Sequence, residues 1–212
     1  MPHVRDRHHS SGHRRPALIA ATLVAAIVAC GSPAAAADPR ITSKVQAQAL
    51  PPQNQATGGL YVTAEEANGI VGRLKDVLLI DVRTHGETLF NGVAEPMHRH
   101  IPYVTLDDDR SYDDKNARYK LVPNPDFVKA VDNLLAERKL DRKATIIVGC
   151  SIGERSAKAA SLLAQSGFAN VYSMVDGFEG QAGFKAGRGW KPSGLPWSWQ
   201  MTPAQAYKSP TL

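Results

Sequence analysis

Ala144-Thr145-Ile146-Ile147-Val148-Gly149-Cys150-Ser151-Ile152-Gly153-Glu154-Arg155-Ser156 is the stretch that decides how this chain folds. Its first part is apolar at consecutive positions rather than alternate ones. That pattern reads as a strand buried on both faces of a parallel sheet. The strand ends at Cys150. An alanine-rich helix follows over residues 155–165, closed by Gly167 as a C-cap. The short loop between them holds the only cysteine of the chain's second half.

Working outward, Val77-Leu78-Leu79-Ile80-Asp81-Val82-Arg83 repeats the pattern: a continuous apolar run that ends in charge. Val171-Tyr172-Ser173-Met174-Val175 is a further strand, and Leu60-Tyr61-Val62 a short first one. Thr63 and Glu66 have the spacing of a capping box, so a helix runs from there to about residue 74, weakened by Gly69 and Gly72. A helical turn covers residues 85–90. Ile101-Pro102-Tyr103-Val104 is a strand candidate whose proline argues for an edge position or a strand start. Residues 105–123 are polar and acidic and read as an insertion or long loop. Asn124-Pro125 opens a helix through residue 138, with Phe127, Val131, Leu134 and Leu135 on one face. Strands alternate with helices, which predicts an α/β fold with a mostly parallel central sheet flanked by helices.

The chain has 212 residues, enough for one ordinary domain with a leader and tails. Residues 1–37 read as an export signal: four arginines against one aspartate, then an uncharged apolar run over residues 17–29, too short to span a bilayer comfortably. Ile27-Val28-Ala29-Cys30 resembles a lipobox, which would make Cys30 a lipidated N-terminus. Ala35-Ala36-Ala37 fits ordinary cleavage before Asp38, and both routes stay open. The expected location is exported and periplasmic, free or lipid-anchored, with membrane contact only through such an anchor. The formal charge of +5 owes much to this leader and is no argument for a nucleic-acid partner. Residues 38–58, rich in Ala, Gln and Pro without apolar period, predict a flexible linker. The ordered domain is expected over 59–200, with 201–212 as a C-terminal tail. Removing or lipidating Cys30 leaves Cys150 unpaired where disulfides form, which suggests a reactive thiol.

The loop gives that thiol a physical setting. Backbone N–H groups of a tight loop at a helix N-terminus converge on an anion, and the helix dipole adds partial positive charge. The same field favours the thiolate, the nucleophilic form. Gly153 relieves crowding in the turn, Arg155 can brace the loop or meet an anion, and Ser156 can cap the helix start.

Over roughly residues 60–199 the chain resembles the rhodanese-like sulfurtransferases. The resemblance is carried by Asp81-Val82-Arg83 with Glu87, by Ile101-Pro102, by the Cys150 loop ending Gly153-Glu154-Arg155-Ser156, by Asp176-Gly177-Phe178, and by Gly189-Trp190 with Gly194-Leu195-Pro196-Trp197. It implies a rhodanese-like three-layer domain and a catalytic Cys150 alternating between thiolate and persulfide. Ser151, Ile152, Gly153, Glu154, Arg155 and Ser156 would form the substrate-binding loop. The sulfur would pass from a small donor, thiosulfate or a persulfide, to cyanide or a thiol, with a protein thiol as a further acceptor. No metal or organic cofactor is implied. Asp81, Arg83 and Glu87 are expected to brace neighbouring loops, with Glu87 as the partner of Arg83. Four residues separate Cys150 from Arg155, one fewer than in related phosphatases, which suits sulfur better than a phosphoryl group. Many single-domain members have a basic residue and then a serine after the cysteine, where this chain has Ser151 and Ile152. That departure motivates the alternative of a persulfide carrier or partner-binding module with little turnover of small donors. His98 with His100 is a weak zinc signal. The acidic loop 107–114 has oxygen spacing suggestive of calcium, but Tyr112 stands where a glycine is needed.

Overall fold

A computed structural model of the chain describes residue 3 and residues 37–209. The expected export signal and the Cys30 processing site lie outside the described residues.

Among the described residues the centre is a five-stranded parallel sheet in the order β1-β10-β9-β2-β4. Its strands are β1 (Tyr61–Val62), β2 (Leu78–Asp81), β4 (Arg99–His100), β9 (Thr145–Gly149) and β10 (Asn170–Met174). β2 and β9 are buried along their whole length, which is why their sequences show no alternation. Their side chains still alternate between two cores. Leu78, Ile80, Ile146 and Val148 face α3 (Phe127–Glu137) and α4 (Glu154–Gln165). Leu79 and Ile147 face the opposite layer, made by α1 (Ala64–Arg73) and Trp190. The architecture is therefore three layers, helices on both sides of the sheet.

Local chemistry places the helices. Thr63 and Glu66 form a complete capping box at the start of α1. Thr84 and Glu87 form a second at α2 (His85–Asn91). At α3 the Asn124 side chain accepts from the Asp126 N–H at 3.0 Å and donates to the Pro102 carbonyl at 2.8 Å, so it ties the helix start to the preceding turn.

Three sequence-based expectations are corrected. The strand expected over 101–104 is displaced. Its N-terminal neighbours form β4 at the sheet edge, and β5 (Val104–Leu106) leaves the sheet to pair with β8 (Leu121–Pro123). Pro102 cannot donate to a ladder, so the chain turns out there. Of the two readings of 105–123, an insertion or a long loop, the long loop is overturned: the segment is an antiparallel arm, in which β6 (Tyr112–Asp113) and β7 (Arg118–Tyr119) also pair. Its exposed face kept its composition polar. The expected linker 38–58 is a packed strap. Asp38 donates its N–H to the Tyr172 hydroxyl and accepts from Thr145 and Arg40. Leu50 is buried against Tyr61 and Val175, and the 3-10 turn Pro52–Asn54 closes the strap against the domain. Its anchors are scattered single residues, which leave no period to read. The tail is packed too: His100 donates its N–H to the Gln205 carbonyl, and Tyr207 lies against the α3 core.

The three tryptophans part company. Trp190 is fully buried, with its indole N–H on the Pro196 carbonyl. Trp197 lies in β11 (Trp197–Ser198), which pairs with β3 (Val93–Ala94), and Trp199 is exposed.

Candidate active site

Cys150 stands just past the end of β9, where the parallel strands of an open sheet present their carboxyl ends. It is only 1% exposed, at the floor of a groove of about 1140 Å³. The loop turns back on it. The Gly153 N–H points at Sγ from 3.2 Å and the Ser156 N–H from 3.4 Å. Gly153 is the left-handed N-cap of α4, so both amides belong to the open N-terminal turn of that helix. The sulfur thus sits where the backbone amides of a helix start converge.

Ser156 does not cap the helix, as its position suggested. Its hydroxyl accepts the Cys150 N–H at 2.7 Å and so locks the cysteine backbone to α4. From the other side, the Phe178 N–H donates to the Cys150 carbonyl at 2.7 Å and the Glu179 N–H to the Ser151 carbonyl at 2.9 Å. The turn Asp176-Gly177-Phe178 thus forms the floor under the loop. Asp176 is itself buried and accepts from the Ala64 and Gly189 amides. Burial holds its carboxyl above the ordinary range, against those hydrogen bonds.

Glu87 pairs with Arg155, not with Arg83. The Arg155 guanidinium meets both carboxylate oxygens, with Nη1 at 2.6 Å, and the Ser151 hydroxyl donates to the same carboxylate. Arg155 also donates to that hydroxyl at 3.1 Å, closing a triangle of three side chains. Arg83 turns inward instead. It is fully buried, meets Asp81 with Nε and Nη2, donates to the Gly92 carbonyl at 2.7 Å, and covers the Phe178 ring at 4.1 Å. Asp81 and Arg83 therefore hold the strand end, whereas Glu87 and Arg155 hold the cysteine loop.

Burial alone would raise the Glu87 carboxyl. Arg155, Ser151 and the Thr84 amide outweigh it and hold Glu87 at about 2 against an ordinary 4.5. The depressed value means that this contribution to stability is fully present above about pH 4.5 and is lost as pH falls toward 2. Urea unfolding should show it. Between about pH 5 and pH 2 the wild type should lose on the order of 2 kcal/mol more than Glu87→Gln, which has no charge to titrate. Equal losses in the two proteins would refute the assignment.

The groove brings together residues that the sequence keeps apart. Ser151, Ile152, Glu154 and Arg155 line it with Cys150, and Thr84, His85 and Glu87 of the α2 entrance form one wall. The arm supplies Leu106, Asp108, Arg118 and Leu121 as the other. Lys158 reaches it as well. That cation was legible, because Lys158 follows Arg155 by three residues on one helix and shares its face. Arg118 was not, since it depends on the folding of the arm. Asp108, Glu154 and Glu179 offset these charges, so the groove is mixed rather than basic. Neither His98 nor His100 lines it. His98 accepts the Leu79 N–H, and the His100 ring bonds the Arg83 carbonyl. Among the described residues no cluster of His, Cys, Asp or Glu could hold a metal ion.

The framework of the site is a parallel α/β sheet whose strand end delivers a buried cysteine to the amides of the next helix. A family model described as the rhodanese-like domain matches residues 63–182. The chain belongs to the rhodanese-like domain family. It is similar to an uncharacterized protein of Rickettsia prowazekii, 28% identical over 123 residues that cover 58% of this chain and 83% of that one. Its homologue in Rickettsia rickettsii is 33% identical over 124 residues, with the same coverage of 58% and 83%. Among solved structures the chain is similar to the polysulfide-sulfur transferase homodimer of Wolinella succinogenes, with 21% identity, a TM-score of 0.40, and 66% of this chain and 77% of that one covered.

Proposed function

We propose that this protein is a sulfurtransferase that carries a sulfane sulfur on Cys150 from a donor to a thiophilic acceptor. The observation that carries the reading is the convergence of the Gly153 and Ser156 amides on Sγ, at 3.2 and 3.4 Å, at the floor of an open groove. In the first step the Cys150 thiolate attacks the outer sulfur of the donor. With thiosulfate, the S–S bond breaks and sulfite leaves with the electron pair. The amides stabilise the resulting persulfide anion. In the second step a cyanide or thiolate acceptor attacks the terminal sulfur, the Sγ–S bond breaks, and the Cys150 thiolate returns. No oxidant is consumed.

A second reading, a persulfide carrier or partner-binding module, is favoured by one observation. The groove is far larger than thiosulfate, and its charges are mixed. One experiment separates the two. With thiosulfate and cyanide, thiocyanate should form and should vanish in Cys150→Ser. No thiocyanate, but a mass gain of one sulfur on Cys150 after incubation with a persulfide donor, would select the carrier. Neither signal would refute both. The reading includes export, supported by the charge and apolar pattern of residues 1–37. The mass of the mature N-terminus distinguishes a start at Asp38 from a lipidated Cys30.

A further inference from the structure

Asn54 lies outside the residues matched by the family model and almost a hundred positions before the cysteine loop, yet it is 0% exposed. Its side-chain amide donates to two carbonyls, Ile152 at 3.1 Å and Val175 at 3.3 Å. The first belongs to the cysteine loop and the second follows the end of β10. Its own Oδ1 has no hydrogen-bond partner among the described residues. What ties this side chain to the fold is its donor end, which meets two backbone carbonyls.

The peptide between Ile152 and Gly153 explains what those donors do. A planar trans peptide points its carbonyl and its N–H in opposite directions. Asn54 holds the carbonyl on the outer side of the loop. The N–H of the same peptide is then turned inward, where it meets Cys150 Sγ at 3.2 Å. The strap presents Asn54 rigidly. The residue closes the 3-10 turn Pro52–Asn54, Leu50 packs beneath it on Tyr61 and Val175, and Ala56 is bonded to the Tyr61 hydroxyl through both its N–H and its carbonyl. The Thr57 N–H donates to Ser161 of α4, the helix that carries the second amide.

We propose that Asn54 is a positioning residue for the sulfur seat: it fixes the Ile152–Gly153 peptide so that its N–H faces Cys150 Sγ. The proposal rests on the reading of Cys150 as the working nucleophile, and its test does not need turnover. In the full chain, alkylation by iodoacetamide is followed at the Cys150 peptide by mass spectrometry, at about pH 7 and about pH 10. The rate at high pH reports access to the sulfur, while the rate near neutrality also reports how well its negative charge is supported. Asn54→Ala should lower the ratio of the neutral to the alkaline rate by about tenfold, the size expected for weakening one hydrogen bond to a charged sulfur. Asn54→Leu, similar in shape and without donors, should do the same, and it keeps the test open if the alanine variant does not fold. An unchanged ratio in a folded variant, whatever its thermal midpoint, would overturn the proposal and leave Asn54 a structural residue. Failure of the wild type to load sulfur would refute the function proposed above, yet the alkylation ratio would still decide the role of Asn54.

Discussion

Alanine at position 153 is expected to abolish sulfur loading of Cys150 and to lower the unfolding free energy by about 3–5 kcal/mol, the range reached by strain combined with a clash in the interior. Two causes act together. Gly153 has φ of 92°, in the left-handed region that disfavours any side chain, and a Cβ there would lie 1.9 Å from the Val175 carbonyl oxygen and 2.6 Å from Asn54 Nδ2. The first obstacle is backbone at the end of the central sheet and cannot swing aside. The chain must either push α4 away from β10 or turn the loop peptide over. Both take an amide off the cysteine sulfur. Urea unfolding and the mass of Cys150 after exposure to a persulfide donor read the two effects separately. Gly69→Ala is the control. Gly69 lies on α1 with open space around its Cβ position, so alanine there should stabilise by up to about 1 kcal/mol through helix propensity. A Gly153→Ala protein as stable as wild type and still able to load sulfur would show that the seat is not as tight as its distances.

Arg83→Met should cost about 3–5 kcal/mol, because it leaves the Asp81 carboxylate buried without its cation. The pair is held by Nε and Nη2, with the shortest contact 2.6 Å, and Asp81 also accepts the Arg83 backbone N–H at 3.0 Å. Arg83 spends its remaining Nη2 capacity on the Gly92 carbonyl, beside the strand β3 that pairs with β11. Its loss therefore loosens the C-terminal cover as well as the strand end. The sign of the interaction can be isolated. Adding Asp81→Asn to Arg83→Met removes the orphaned charge and should recover about 1–2 kcal/mol. A double variant no more stable than Arg83→Met would mean that packing over Phe178, rather than charge, is what Arg83 supplies.

Much of this site was legible in the sequence because its decisive signals are local. Buried strands read as unbroken apolar runs, as in β2 and β9, and both their ends and the cysteine that follows them stand in the order of the chain. The capping box at Thr63 and Glu66 is a three-residue spacing and was found where the structure has it. The pairing of Glu87 was missed for a definite reason. Arg83 and Glu87 have the spacing of a helical ion pair, but Thr84 is the N-cap of α2, so Arg83 precedes the helix and never shares its face. Arg155, distant in sequence, arrives with the cysteine loop and takes the carboxylate. The strap and the arm were missed because their ties are scattered single residues and short antiparallel pairings. Neither leaves a hydrophobic period.

The strap also fixes an order of events in folding. Asn54 meets Ile152 across 98 positions and Val175 across 121, and Asp38 meets Tyr172 across 134. Contacts this far apart are slow to form, since closing so long a loop precedes any gain from the contact. The strap also leaves the ribosome long before any of these partners exists. The amide that Asn54 is proposed to aim can be set only after β10 has been made and has joined the sheet. In a nascent or truncated chain that already contains Cys150, the Gly153 amide would not yet be aimed at its sulfur, and the seat would form only with completion of the domain.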